Sequence, residues 1–134
     1  MAERTPRRRR GHTRVFVYGS LRRGLGNHRL LEGSRFIAED RTRPTFTLLD
    51  LGSFPGMVSG GETAVAGELW EVDVQTLDRL DRLEGHPRFY LRTPVVLASR
   101  RRAETYLLPT QLGTNRDVVV SGDWRAHHAA RERR

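Results

Sequence analysis

The sequence predicts an α+β domain: a mixed β-sheet curled into a small barrel, with two or three short helices packed outside. Three observations carry this. Roughly six short runs rich in β-branched and aromatic residues are separated by Gly, Pro, Asn and Asp clusters. Helical periodicity is confined to one clear segment and one or two shorter ones. Strands outnumber helices and do not alternate regularly with them, which argues against a doubly wound parallel sheet.

Val15-Phe16-Val17-Tyr18 is a β-branched and aromatic run that stops at Gly19 and reads as a buried strand. Gly19, Gly24 and Gly26 make the loop that follows, and Asn27 is placed to cap a short helix through Leu30 and Leu31. Residues 36–39 and 46–51 read as strands, the second ended by Gly52, and Gly52-Ser53-Phe54-Pro55-Gly56 has the chemistry of a turn. Residues 64–72 form a further strand. Its alternation sets Val65, Gly67, Leu69 and Glu71 on one face and Ala66, Glu68, Trp70 and Val72 on the other.

The clearest helix comes next. Asp73 suits its N-cap, and Val74, Leu77, Leu80 and, at the end of the stripe, Leu83 recur at i, i+3 spacing. Gly85 is a natural residue just past a helix end and Pro87 blocks any continuation, so Glu84 falls at the C-terminal end. Residues 90–97 and 104–108 read as the last strands. Ser121-Gly122-Asp123-Trp124 opens a final short helix with Ser121 or Asp123 as its cap.

With 134 residues the chain makes one domain with a single core. The net charge of +8 is carried by 24 Arg and no Lys. Residues 1–14 hold six Arg and one Glu, and residues 131–134 hold three Arg and one Glu, leaving 15 Arg against 14 acids in residues 15–130. The expected organisation is therefore a disordered Arg-rich arm at 1–14, a nearly neutral domain at 15–130 and a basic tail at 131–134. The domain shows neither a basic face nor an interleaved aromatic platform, so nucleic acid is not the expected partner. No apolar run approaches the ~18 residues of a membrane span, and the opening residues lack the apolar centre of a secretory signal. Cysteine is absent, which excludes disulfides and thiolate metal sites and fits a reducing cytoplasm, the expected location. Monomer is the default reading of oligomeric state.

Two features point to chemistry. A carboxylate at position 84 sits where the helix macrodipole disfavours negative charge, beside a Gly–His–Pro break and the aromatic pair Phe89 and Tyr90. Dipole and desolvation would both raise its pKa, as a general base working near neutrality requires. The competing reading is a solvated helix-end acid, and Asp78 and Asp81 on the same segment read as exposed partners of Arg79 and Arg82. The second feature is the Tyr18-Gly19-Ser20-Leu21 turn. Amide N–H groups that lose ladder partners at a strand-ending glycine can point into a cavity and suit carboxylate or carbonyl oxygens. The alternative is an ordinary strand-to-loop corner.

Other motifs are missing. No Gly-Lys-Ser/Thr makes the turn a P-loop, and Gly24-Leu25-Gly26 does not extend to a dinucleotide fingerprint. His127 and His128 are adjacent and point about 100° apart on a helix, so they do not share an ion easily. No nucleophile elbow is present.

Taken together these residues resemble the γ-glutamyl cyclotransferase-like family, which includes avirulence-induced-gene-like proteins and γ-glutamylamine cyclotransferases. The similar stretches are residues 15–24 with Asn27 and His28, then Gly67-Glu68-Leu69-Trp70, Leu80-Asp81-Arg82-Leu83-Glu84-Gly85 with Pro87, Tyr90 and Arg92, and Ser121-Gly122-Asp123-Trp124. They lie in order over residues 14–125. The resemblance implies an enzyme that acts on a small-molecule γ-glutamyl substrate, an amine or amino acid conjugate. Intramolecular attack of the α-amino group would release 5-oxoproline and a free amine. By similarity Glu84 is the general acid/base, and the Gly19, Ser20 and Leu21 amides beside Tyr18 hold the substrate carboxylate or developing oxyanion. Tyr90 lines the pocket, with its phenol a candidate to orient Glu84 or else a core aromatic. Arg92 pairs with a carboxylate or is a strand-face charge, and Asp123 and Trp124 lie near the mouth. No cofactor and no metal are implied. Substrate choice would lie in loops 52–62 and 109–120. The alternative is a non-catalytic member of the same fold that binds a metabolite or a partner protein.

Overall fold

The computed structural model describes residues 5–109 and 117–132; most of the expected specificity loop at 109–120, the first four residues of the arm and the last two of the tail lie outside the described residues. The strands are β1 (Thr13–Val17), β2 (Arg35–Arg41), β3 (Phe46–Asp50), β4 (Pro55–Ser59), β5 (Ala66–Val72), β6 (Leu91–Val96), β7 (Arg102–Leu107) and β8 (Asp117–Val118). Two α-helices, α1 (Val74–Glu84) and α2 (Trp124–Glu132), and a 3₁₀ turn at His28–Leu31 complete the set. The order across the sheet is β2-β5-β1-β7-β4-β3-β8, with β6 also paired to β7. It is mixed: β1 runs antiparallel to β5 but parallel to β7, and β7 runs parallel to β4. The sheet curls into a half-barrel with two helices, as the sequence predicts.

Alternation along β1 builds the core on both sheet faces. Val15 and Val17 join Leu49, Trp70 and Leu80 of α1, whereas Phe16 and Tyr18 join Leu48, Met57 and Trp124 of α2. Strand β5 is buried along its whole length, so its two alternating sides are both interior. No described helix is long and apolar enough to cross a membrane.

Among the described residues the structure has eight strands where the sequence suggests about six. Strand β4 hides in what reads as turn chemistry. Pro55 is its first residue, a position where a missing N–H is tolerated. Its second residue must be Gly56, because a Cβ there would come within 2.2 Å of a Leu108 methyl. Strand β8 has two residues and falls below any periodicity signal. The predicted stripe on α1 is also narrower than expected. Val74 and Leu83 are exposed, and the buried positions are Thr76 and Leu80.

Two carboxylates on β5 are buried and paired. Glu68 accepts from the Arg23 amide at 3.0 Å and the Trp70 indole at 3.1 Å. Glu71 takes the guanidinium groups of Arg9 (2.7 Å), Arg35 (2.6 Å) and Arg14 (3.4 Å). Where the sequence suggests a free arm, the chain is tied down from Thr5 onward. Arg101 donates to the Thr5 hydroxyl at 2.7 Å, Arg14 to the Pro6 carbonyl, and Arg35 to the Arg7 carbonyl at 3.0 Å. At the other end Arg131 lies within α2 and pairs with Asp50.

Burial alone would raise the Glu71 pKa, but the hydrogen bonds from Arg9, Arg35 and Arg14 outweigh it and bring the group down to about 2 from 4.5. A depressed carboxyl pKa contributes stability that is present above 4.5 and lost as the pH falls toward 2. Urea midpoints measured at pH 7 and pH 3 are expected to fall further for the wild-type chain than for Glu71→Gln. Equal acid sensitivity in the two proteins would show that the clamp contributes nothing.

Candidate active site

The end of α1 is built to a fixed geometry. Asp73 caps its start by accepting from the Thr76 amide at 2.8 Å. At its end Gly85 takes a left-handed conformation with φ of 67°, which a side chain would disfavour. The Gly85 amide bonds back to the Arg82 carbonyl at 3.2 Å and the His86 amide to the Asp81 carbonyl at 2.9 Å. Beyond it the Phe89 amide reaches the Gly85 carbonyl at 2.8 Å and the Tyr90 amide the Glu84 carbonyl at 3.2 Å. The His86 ring accepts from the Arg92 amide at 2.9 Å, which anchors the loop to β6. Glu84 is therefore held from both sides.

The turn after β1 is organised from its carbonyl side. Arg22 N–H bonds to the Gly19 carbonyl at 3.1 Å, Asn27 N–H to the Ser20 carbonyl at 2.9 Å, and His28 Nδ1 to the Leu21 carbonyl at 2.9 Å. The Asn27 side chain also donates to Ser20 Oγ at 2.7 Å, in place of the helix cap expected of it. Outside the strand ladders, no turn hydrogen bond among the described residues is donated by the amides of Gly19, Ser20 or Leu21. A Cβ at Gly19 would lie 2.9 Å from Pro55 Cγ, so glycine here lets the turn sit against the start of β4.

Glu84 and this turn line one cavity of about 200 Å³. All six residues singled out from the sequence, Tyr18, Gly19, Ser20, Leu21, Glu84 and Tyr90, are on its wall. The chain has three tyrosines, and the third, Tyr106, is there too. Each hydroxyl is directed away from Glu84. Tyr18 donates to the Tyr106 carbonyl at 2.6 Å and accepts from the Met57 amide at 3.1 Å. Tyr90 donates to the Pro55 carbonyl at 2.5 Å, and Tyr106 donates to Asp81 Oδ1 at 2.8 Å. Tyr90 thus fixes Pro55 and does not orient Glu84.

The electrostatics follow from that arrangement. Burial pushes the Glu84 carboxyl up to about 7, with no counteracting donor or cation. Of the two causes the sequence argument invokes, dipole and desolvation, burial is the one that the structure supports directly. Burial raises the phenols of Tyr18, Tyr90 and Tyr106 well above 10, and the nearby Glu84 charge adds to each.

Other candidates fall elsewhere. Asp78 pairs with Arg82 at 3.0 Å as expected, but Asp81 is not an exposed partner of Arg79 or Arg82. It faces Arg92 at 3.4 Å and holds Tyr106, and Arg92 also meets Glu104 at 3.6 Å. Asp123 does not reach the cavity: it accepts from Arg22 at 2.9 Å and from the Ala126 amide at 3.3 Å, so it caps α2. Trp124 is in the core. Sequence reasoning missed Phe54, Pro55 and Tyr106 as wall residues. Pro55 was hidden by its turn-like neighbours, and Tyr106 carries no local signal beyond its place in a strand. Among the described residues no group of three or more acids and histidines is placed to hold a metal ion.

The model of the family described as "Gamma-glutamyl cyclotransferase, AIG2-like" matches residues 15–126. A Methanocaldococcus jannaschii protein is 38% identical over 117 residues, covering 83% of this chain and 94% of its own length. The rat γ-glutamylaminecyclotransferase is 38% identical over 92 residues, covering 59% of each chain. Among solved structures, the mouse AIG2-like protein superposes with a TM-score of 0.72 at 25% identity, covering 84% of this chain and 88% of that one.

A carboxyl whose pKa is raised from 4.5 to about 7 makes the fold lose stability as the pH rises through that interval, because the native state holds the proton more tightly than the unfolded chain. Glu84→Gln is therefore expected to be more stable than wild type at pH 8, by about 1–3 kcal/mol, and nearly equal to it at pH 4. Paired urea melts at the two pH values check this, and carboxyl ¹³C titration of Glu84 should show a midpoint near 7.

Proposed function

Because the chain belongs to the γ-glutamyl cyclotransferase, AIG2-like family, we propose that it releases 5-oxoproline and a free amine from a γ-glutamyl amine or γ-glutamyl amino acid. The observation that carries this reading is the shared cavity: a desolvated Glu84 on one wall, the Gly19–Leu21 amides on another.

In this mechanism the glutamyl α-carboxylate or the developing oxyanion lies against the free amides of Gly19, Ser20 and Leu21, which are preorganised because their carbonyls are held from behind. Tyr18 and Tyr90 contribute ring surface, since their hydroxyls already serve the backbone. Glu84 accepts a proton from the α-ammonium. The freed nitrogen attacks the γ-carbonyl carbon, closing a five-membered lactam. The ring nitrogen gives up its second proton, and collapse of the tetrahedral species breaks the bond to the amine, which takes up two protons, one of them returned by Glu84. A group titrating near 7 is populated in both states at neutral pH, so one carboxyl serves both transfers. The nucleophile is tethered to its electrophile, and folding the glutamyl chain supplies much of the rate. The γ-glutamylamine specificity in the name of the rat relative supports an amine conjugate as substrate. We assign the reaction to the cytoplasm, in keeping with a cysteine-free chain.

The test is release of 5-oxoproline from a panel of γ-glutamyl amines and γ-glutamyl amino acids. Glu84→Gln is expected to lower kcat by about 10²–10⁴ with the fold retained. In the wild-type enzyme kcat/KM is expected to rise with pH through a value near 7. Undiminished turnover in Glu84→Gln, or binding without release by the wild-type chain, would overturn the proposal.

A further inference from the structure

Three of the large apolar side chains left exposed in this fold, Phe54 (39%), Leu83 (44%) and Phe89 (44%), line the same cavity as Glu84. They come from separate places: the β3–β4 connection, the last turn of α1 and the segment just after it. Being the exposed members of the lining, they form its rim, whereas Val17, Tyr18 and Leu21 lie deep in it. The rim is continuous with the wall. Phe54 and Phe89 have ring centroids 6.2 Å apart at 70°, and Phe89 meets Tyr90 at 5.0 Å and 88°, both edge-to-face.

The positions are built in. The Phe89 amide is bonded to the Gly85 carbonyl, and a Cβ at Gly85 would sit 3.1 Å from that of Phe89. Phe54 precedes Pro55, whose carbonyl the Tyr90 hydroxyl holds. Exposed apolar surface converging on one cavity marks a surface meant to be covered by a ligand. The polar groups of the lining, Ser20, Asn27 and the turn amides, come from a separate stretch of chain, residues 19–27, and Glu84 is the only charged residue of the lining among the described residues.

We propose that the amine half of the substrate is apolar, an aryl- or alkylamine seated on Phe54, Leu83 and Phe89 with its γ-glutamyl half directed inward to the turn. This rests on the cyclotransferase reading and adds the class of leaving group. The glutamyl end carries charges suited to the amides and to Glu84, while among the described residues the lining holds no ion besides Glu84 to meet a second carboxylate or ammonium. In the balanced reaction the α-nitrogen–γ-carbon bond forms and the γ-carbon–amine bond breaks. Two protons leave the α-ammonium and two arrive on the departing nitrogen, so the zwitterionic conjugate yields 5-oxoproline and an alkylammonium without net consumption of water.

The experiment compares kcat/KM for γ-glutamyl-phenethylamine and γ-glutamyl-butylamine with γ-glutamyl-ethanolamine, γ-glutamyl-glycine and γ-glutamyl-ε-lysine, read as 5-oxoproline. The apolar conjugates are expected to be favoured about tenfold or more. In Phe54→Ser and Phe89→Ser, with folding checked by circular dichroism, that ratio is expected to shrink toward unity. Turnover of all five without preference, or a preference for the charged conjugates, overturns the inference while leaving the cyclisation standing. So does a ratio unchanged in both variants. Failure to release 5-oxoproline from any conjugate overturns both readings together.

Discussion

Everything at this site depends on a carboxylate that burial desolvates and nothing pairs. Its meaning is clearest beside the other two buried glutamates. Glu68 and Glu71 lie on β5 with side chains fully shielded from solvent, yet both have lowered pKa values because guanidinium groups, and for Glu68 also an amide and an indole, outweigh the cost of burial. Glu84, half-buried at the end of α1, is desolvated without the donors and moves the other way. Burial sets the size of the perturbation, and the presence or absence of hydrogen-bond donors sets its sign. A buried acid with three arginines is a structural clamp. One without any is, on the proposed reading, a proton carrier.

Keeping Glu84 unpaired takes several parts of the fold. Three phenols share the cavity wall with it. Each is engaged elsewhere: Tyr18 ties β1 to β7 and β4, Tyr90 holds the start of β4, and Tyr106 reaches Asp81 on α1. Asp81 also pairs with Arg92 at 3.4 Å, and neither residue lines the cavity. The hydroxyls make the cavity rigid, and their being so used leaves the carboxyl as the group within it that changes charge near neutrality.

The parts legible in the sequence were those with local signals. The strand from Val15, the Asp73 cap, and the helix ended by Gly85 with Glu84 as its last residue each follow from residues within a few positions of one another. What stayed illegible was long-range. Strand β4 begins with Pro-Gly because of what it packs against, Leu108 and Gly19, and neither neighbour is visible from residues 52–56. The exposure of Leu83 contradicts its place in an apolar stripe, and only the cavity beside it gives the exposure a sense. The Arg-rich opening reads as solvated because the acid it pairs with, Glu71, lies some sixty positions along the chain. A strictly alternating β5 suggests one wet face. That both sides are interior, one packed with Leu80 of α1 and the other with Trp124 of α2, is decided by topology.

Geometry also separates chemistry from selectivity. A cavity of about 200 Å³ is smaller than the roughly 300–1,000 Å³ that encloses a drug-sized ligand. For a bimolecular acyl transfer that would be a handicap, since two reactants must be held at once. In a cyclisation the nucleophile arrives attached to the electrophile, so only the glutamyl half has to be enclosed and oriented. The departing amine then belongs at the rim, whose side chains are exposed and take no part in holding Glu84 or the turn. On the proposed reading, substitutions there change which amine is accepted. On that reading the fold encloses the reacting glutamyl half and leaves the departing amine at an exposed apolar edge.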